Sequence, residues 1–131
     1  MHITLEADYA VRIVNCLAKH KVRMDAKSLS GATGVTLRFS LKILRKLVAE
    51  GIVRSYKGTQ GGYELARPAG EISLGEVIEV VEGPITISRC VGVEGFKCSR
   101  GEDSFCQFNQ TYSEISKMVR EKLYAVHFGE E

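Results

Sequence analysis

Between residues 25 and 65 the chain sets two short helical stretches, parted by Gly34 and closed by Gly51, directly ahead of a glycine-punctuated hairpin. Few small folds accommodate that order. Asp25 is placed to cap a helix over about residues 26–33, with Leu29 and Ala32 inward and Gly34 stopping it. Thr36 is placed to cap the next, over about residues 37–50. Leu37, Leu41, Leu44 and Val48 read as its core stripe, widened by Ile43 and Leu47, while Arg38, Ser40, Lys42, Arg45 and Lys46 fill the rest. Two helices joined by a glycine-containing turn, the second of them basic, form the pattern of a helix-turn-helix.

Residues 52–56 then read as a short strand, residues 57–62 as a turn and residues 63–65 as a return strand. A hairpin with a basic, glycine-rich tip directly behind a helix-turn-helix is the layout of a winged helix. An earlier helix, about residues 6–20, carries Ala10, Ile13, Val14, Leu17 and Ala18 on one face. Ser73 and Glu76 form a capping box for a helix over about residues 74–81, ended by Gly83 and Pro84. A final helix is expected from near Thr111, with Glu114 completing a second box, to about Val126. Tyr112, Ile115, Val119, Leu123 and Val126 make one stripe on it, with Met118 beside them, and such a stripe needs a partner: the chain's own core or a second copy. The expected fold is mainly α with a small β-hairpin wing: a winged helix-turn-helix plus a long C-terminal helix. It divides into residues 1–67 as the winged helix-turn-helix, 68–83 as a connecting helix, 84–108 as a cysteine-bearing loop and 109–131 as the last helix and tail, all within one compact domain.

At 131 residues, 44% hydrophobic and 26% charged, the chain has material for one core and is not disordered as a whole. No apolar run is long enough to span a bilayer, and the N-terminus lacks a signal-peptide layout, so a cytoplasmic protein without a membrane partner is expected. The net charge of +2 conceals an imbalance: residues 1–64 hold 11 Lys/Arg and 5 Asp/Glu, a net +6, against −4 in the remainder. A basic front half points to a polyanion.

The start of a recognition helix is the part that reaches base edges in the major groove. Here that places Thr36, Arg38 and Ser40, with Arg38 suited to guanine O6 and N7. Lys42 and Arg45 are expected to grip phosphates, which adds affinity without sequence information. Lys57 and Gln60 at the wing tip are candidates for the minor groove or the backbone. Each alone is also an ordinary solvated side chain; the set on a helix-turn-helix is what points to double-stranded DNA.

Cys90, Cys98 and Cys106 are spaced by seven residues each, in a stretch from 84 to 106 with no sustained hydrophobic period. The spacing is neither the paired cysteines of structural zinc sites nor a ferredoxin run. Soft thiolates spread along a loop suit an iron–sulfur cluster, and Arg89, Lys97 and Arg100 would offset its negative charge. Zinc, a redox-switching thiol set and an empty site are the competing readings. Cys16 reads as a small buried hydrophobe, and His2, His20 and His127 belong to no motif.

These residues together resemble the IscR/NsrR-type (Rrf family) bacterial winged-helix regulators across nearly the whole chain. The resemblance rests on residues 4–12 with Tyr9 and Ala10, the turn at residues 34–37, residues 44–47 followed by Gly51-Ile52-Val53, the wing from Lys57-Gly58 to Gly61-Gly62-Tyr63, residues 72–77, the three cysteines and the last helix. It implies a homodimer on a palindromic operator, with residues 1–67 as the DNA-binding region, 84–108 as a cluster-binding loop and 109–131 as the dimerisation helix and tail, bases read by Thr36, Arg38, Ser40 and Lys57, and a 2Fe–2S or 4Fe–4S cluster that tunes binding. Two departures stand out. Leu41 occupies a position often acidic in cluster-bearing members, and Asn109 stands three residues after the last cysteine, where one branch has histidine. In another branch an aspartate from the partner subunit completes the cluster, and Asp8 stands at that position here. The alternative is a cluster-free winged-helix repressor controlled by thiols or a partner protein. No P-loop, dinucleotide fingerprint or zinc-protease motif marks an enzyme.

Overall fold

The computed structural model describes residues 2–92 and 106–129. The order is α1 (Leu5–His20), α2 (Ala26–Thr33), α3 (Leu37–Ala49), β1 (Val53–Tyr56), β2 (Gly62–Leu65), a single 3₁₀ turn (Ala69–Glu71), α4 (Leu74–Glu82), α5 (Arg89–Gly92) and α6 (Gln107–Tyr124). β1 and β2 form a two-stranded antiparallel hairpin, with Val53 opposite Leu65 and Tyr56 opposite Gly62. This is the mainly helical, hairpin-bearing winged-helix architecture expected from the sequence.

The caps fall where side-chain chemistry puts them. The Thr4, Asp25, Thr36 and Ser73 side chains accept from the backbone N–H groups of Ala7, Ser28, Phe39 and Glu76, each three residues on. Gly34 leaves α2 in the left-handed conformation at φ 76°. Central to the core is α1, whose Ala7, Ala10, Ile13 and Val14 are fully buried. Leu29 of α2, Ile43, Leu44 and Leu47 of α3 and Val77 of α4 close around it. After α6 the chain turns back: the Phe128 N–H donates to the Ile72 carbonyl at 3.1 Å, and the Leu74 N–H to that of Val126 at 2.8 Å. Phe128 is thereby buried beside the start of α4.

Two expectations about helices need correction. On α3 the buried stripe is Ser40, Ile43, Leu44 and Leu47, while Leu37 and Leu41 stay 44% and 40% exposed. Both patterns fit a helical period. Contact with α1 and α2 selects the one that includes a serine. The last helix starts at Gln107, not near Thr111, with Cys106 at its N-cap. Thr111 lies inside the helix and its hydroxyl donates to the Gln107 carbonyl at 3.0 Å, a local bond that a hydroxyl makes mid-helix as readily as at a cap. The segment before it also contains the short helix α5, which the hydrophobic pattern did not announce.

Candidate nucleic-acid interface and cysteine site

Three elements converge on the candidate DNA face. α3 presents Arg38, Leu41, Lys42 and Arg45 along one shallow, open groove that also includes Phe39. Phe39 is held edge-on against the Tyr9 ring of α1 at 5.8 Å between centroids. Thr36 caps α3, so its oxygen is engaged with the Phe39 N–H at 3.3 Å while its hydroxyl proton remains available to donate. Arg38 and Arg45 are exposed. Lys42 leans toward Glu6 of α1 at 3.7 Å, and Lys46 pairs with the same carboxylate at 2.9 Å. The hydrogen bond from Lys46 is the main reason the Glu6 carboxyl lies below its ordinary value.

Ser40 does not belong to that face. It is fully buried, and its hydroxyl points at the Val35 carbonyl at 3.4 Å. The expected base contact from Ser40 is therefore corrected to a structural role at the α2–α3 turn. The same carbonyl accepts from the Ser30 hydroxyl at 2.5 Å, so two serines brace the turn from inside.

The wing is fastened by residues that no sequence motif flagged. Met24 pairs with Tyr63 across two backbone hydrogen bonds of 2.9 and 2.7 Å, an isolated antiparallel bridge that ties the α1–α2 link to the wing base. Arg23 lays its guanidinium over the Tyr56 ring at 3.4 Å and donates to the Gln60 carbonyl at 3.0 Å. Tyr56 donates in turn to Glu64 at 2.5 Å. Lys57 and Gln60 stand exposed at the tip. Gly62, at φ 137°, has no room for a β-carbon, which would lie 2.8 Å from the Met24 carbonyl oxygen.

Of the three cysteines in the candidate site, Cys90 and Cys106 are described; Cys98, with Lys97 and Arg100, lies outside the described residues. Cys90 sits on α5 with its sulfur 3.1 Å from the Ser88 hydroxyl. Cys106 is buried at the head of α6. Asn109, one turn into α6, donates to the Cys90 carbonyl at 3.3 Å and so holds α5 against the helix that Cys106 opens. Two further bonds fix the approach to Cys90: the Ile85 N–H donates to Glu79 of α4 at 2.9 Å, and the Ile87 N–H to Ser116 of α6 at 3.0 Å. Ser116 is buried, and its role was not visible in the sequence because a serine in an amphipathic helix reads as surface. Asp8 lies on α1, about half exposed, paired with Arg12 at 3.0 Å. The described residues contain no group of three His, Cys, Asp or Glu side chains set for a metal, and no helix among them is long and apolar enough to cross a membrane.

A helix-turn-helix with a basic exposed face and a braced wing defines a DNA-binding regulator of the winged-helix class. The chain belongs to the Rrf2 family: the family profile, described as an iron-dependent transcriptional regulator, matches residues 3–130. A Mycobacterium tuberculosis protein, Rv1287, named for a helix-turn-helix regulator, is 38% identical over 95 residues, covering 71% of this chain and 59% of that one. The chain thus aligns with about three fifths of that relative's length. The regulator IscR of Xenorhabdus nematophila is 29% identical over 99% of this chain and 78% of its own. Among solved structures, T. potens IscR superimposes with a TM-score of 0.76 at 24% identity, over 97% of this chain and 82% of that one. CymR of B. subtilis, titled a global cysteine regulator, gives 0.75 at 23%, over 97% and 92%. These two likenesses establish the fold. Family and relatives are transcriptional regulators, not enzymes.

Proposed function

We propose that the chain is a homodimeric repressor or activator whose grip on a palindromic operator is set by an iron–sulfur cluster on Cys90, Cys98 and Cys106. The observation that carries this reading is the Asn109 bond to the Cys90 carbonyl. It gathers one cysteine beside the helix that another cysteine opens. The donor set fits the group: soft thiolates suit iron–sulfur chemistry, and Cys106 stands at the N-cap of the 18-residue α6. Asn109, an amide committed to the Cys90 carbonyl, is not the fourth ligand. Asp8 of a second copy is the candidate, its carboxylate exposed enough to exchange Arg12 for iron.

A bound cluster would supply a centre that oxidants, nitric oxide or iron scarcity can remove. The rest is the work of the chain. Cys90 is tied through the segment 85–88 to both α4 and α6. α6 leaves Phe108, Tyr112, Ile115 and Met118 exposed at 47%, 37%, 39% and 67%, a stripe suited to a second copy. Whatever moves α5 therefore acts on the helix that spaces the two wings, and half-sites lie about one DNA turn apart. Within each half-site, Arg38 and Thr36 read bases, Lys42 and Arg45 hold phosphates, and Lys57 and Gln60 seat the wing.

The cluster-free alternative has its own support in the likeness to CymR, one of whose Staphylococcus aureus structures, at 24% identity, is titled an oxidized form. Anaerobic purification with iron and sulfide analysis separates the two. Stoichiometric iron that disappears in Cys90→Ser, Cys98→Ser or Cys106→Ser supports the cluster; iron-free protein with thiol-dependent operator binding supports the alternative.

A further inference from the structure

The cluster cysteines leave Cys16 unexplained, and its surroundings are unlike those of an ordinary core thiol. Cys16 is nine-tenths buried on α1, with its sulfur 3.9 Å from the Met24 thioether and 3.6 Å from Nδ1 of His20. We propose that Cys16, His20 and Met24 form a second metal site, specific for a soft monovalent cation, Cu(I).

The spacing has the dimensions of such a site. With metal–sulfur bonds of about 2.3 Å and metal–nitrogen bonds of about 2.0 Å, planar three-coordinate geometry sets donor edges of about 4.0 Å between sulfurs and about 3.7 Å between sulfur and nitrogen. Two of the three edges are already present at 3.9 and 3.6 Å. Helical spacing accounts for the sulfur–nitrogen edge, since residues 16 and 20 share one face of α1. The left-handed turn at Lys21, φ 54°, then brings Met24 back over that face.

Donor chemistry selects the ion. A thiolate and a thioether are soft ligands that suit Cu(I), and an imidazole is a borderline one that copper accepts. The set supplies one negative charge, which matches a monovalent cation and undercharges a divalent one. Asp25, the adjacent carboxylate, is occupied in capping α2 at 2.7 Å from the Ser28 N–H. Binding costs two existing arrangements. Burial pushes the Cys16 thiol up, so the cation must expel its proton. Nδ1 of His20 must also give up the Cys16 carbonyl, 2.9 Å away. Because His20 is exposed, its ring can make that exchange without disturbing the core.

The position gives the site a consequence. Met24 is the residue that pairs with Tyr63 at the wing base, so an ion on its sulfur braces the wing against α1. This site is independent of the cluster and of which regulator reading holds.

The test uses the full chain with Cys90, Cys98 and Cys106 changed to serine, titrated anaerobically with Cu(I) against a chromophoric Cu(I) chelator. One equivalent is expected to bind. Met24→Leu and His20→Gln should each weaken it at least tenfold, and Cys16→Ser at least a hundredfold, with thermal melts of the metal-free proteins unchanged for the first two. Absence of chelator-competitive binding in the triple-serine protein overturns the site. So does binding that Met24→Leu and His20→Gln leave intact, which would reduce it to a single thiol; these two variants decide the matter even if Cys16→Ser fails to fold.

Discussion

The guanidinium of Arg23 lies 3.4 Å above the centre of the Tyr56 ring, clamping the wing to the link between α1 and α2. The same side chain donates to the Gln60 carbonyl, so one residue outside the hairpin holds both its strand and its tip. Cation–π contacts at partly exposed sites contribute about 1 kcal/mol. Arg23→Ala should lower unfolding free energy by about that amount in urea titration. Operator affinity should fall with it, because a loosened wing must be ordered on binding, while Arg23→Lys should recover only part of the loss.

Gly62 sits where a β-carbon would press on the Met24 carbonyl, and its φ of 137° is one L side chains rarely adopt. Gly62→Ala should destabilise the protein by about 1–3 kcal/mol. Amide exchange should show Tyr63 and Met24 losing protection first, ahead of the α1 core.

Arg38 and Ser40, two residues apart on α3, should separate cleanly. Arg38→Ala should cost about 1–3 kcal/mol of binding to the specific operator, with random DNA much less affected, as a bidentate base contact requires. Ser40→Ala should leave DNA affinity unchanged and shift only the melting temperature, since the side chain is wholly buried. Equal losses on both DNAs for Arg38→Ala would reduce it to a phosphate contact.

How far the sequence carried follows from what kind of signal each feature leaves. Gly34, Gly51 and the Asp25 and Thr36 caps are local chemistry, and the helix-turn-helix and wing they delimit are legible without tertiary information. The phase of α3 is not: Leu37 and Leu41 satisfy the helical period as well as Ile43 does, and only packing on α1 makes Ser40 the buried member. The contacts made by Arg23, Asn109 and Ser116 escaped for a related reason. They are single long-range hydrogen bonds or a ring contact, which leave no periodicity.

Glu79 joins α4 to α6 and to the segment leading to Cys90. Burial pushes its carboxyl up, but hydrogen bonds from Arg120, the Tyr124 hydroxyl and the Ile85 N–H outweigh that and hold it below its ordinary value. A carboxylate lowered in the folded state contributes stability above its unfolded value of about 4.3, and that contribution is lost as pH falls through the folded value. Glu79→Gln should therefore cost about 1–2 kcal/mol at pH 7. Its stability should fall less steeply on acidification than that of the parent, the two curves converging once Glu79 is protonated. Parallel curves in denaturation from pH 7 to pH 3 would remove Glu79 from the acid response.

Operator binding by the same anaerobic preparation, before and after the cluster is removed by chelation at fixed salt, tests the regulatory reading most directly. Holo and apo protein should differ at least tenfold in affinity for the native operator and little for random DNA, with Cys90→Ser fixed in the apo behaviour. Equal affinities, or a colourless iron-free preparation that still responds to its signal, would contradict it.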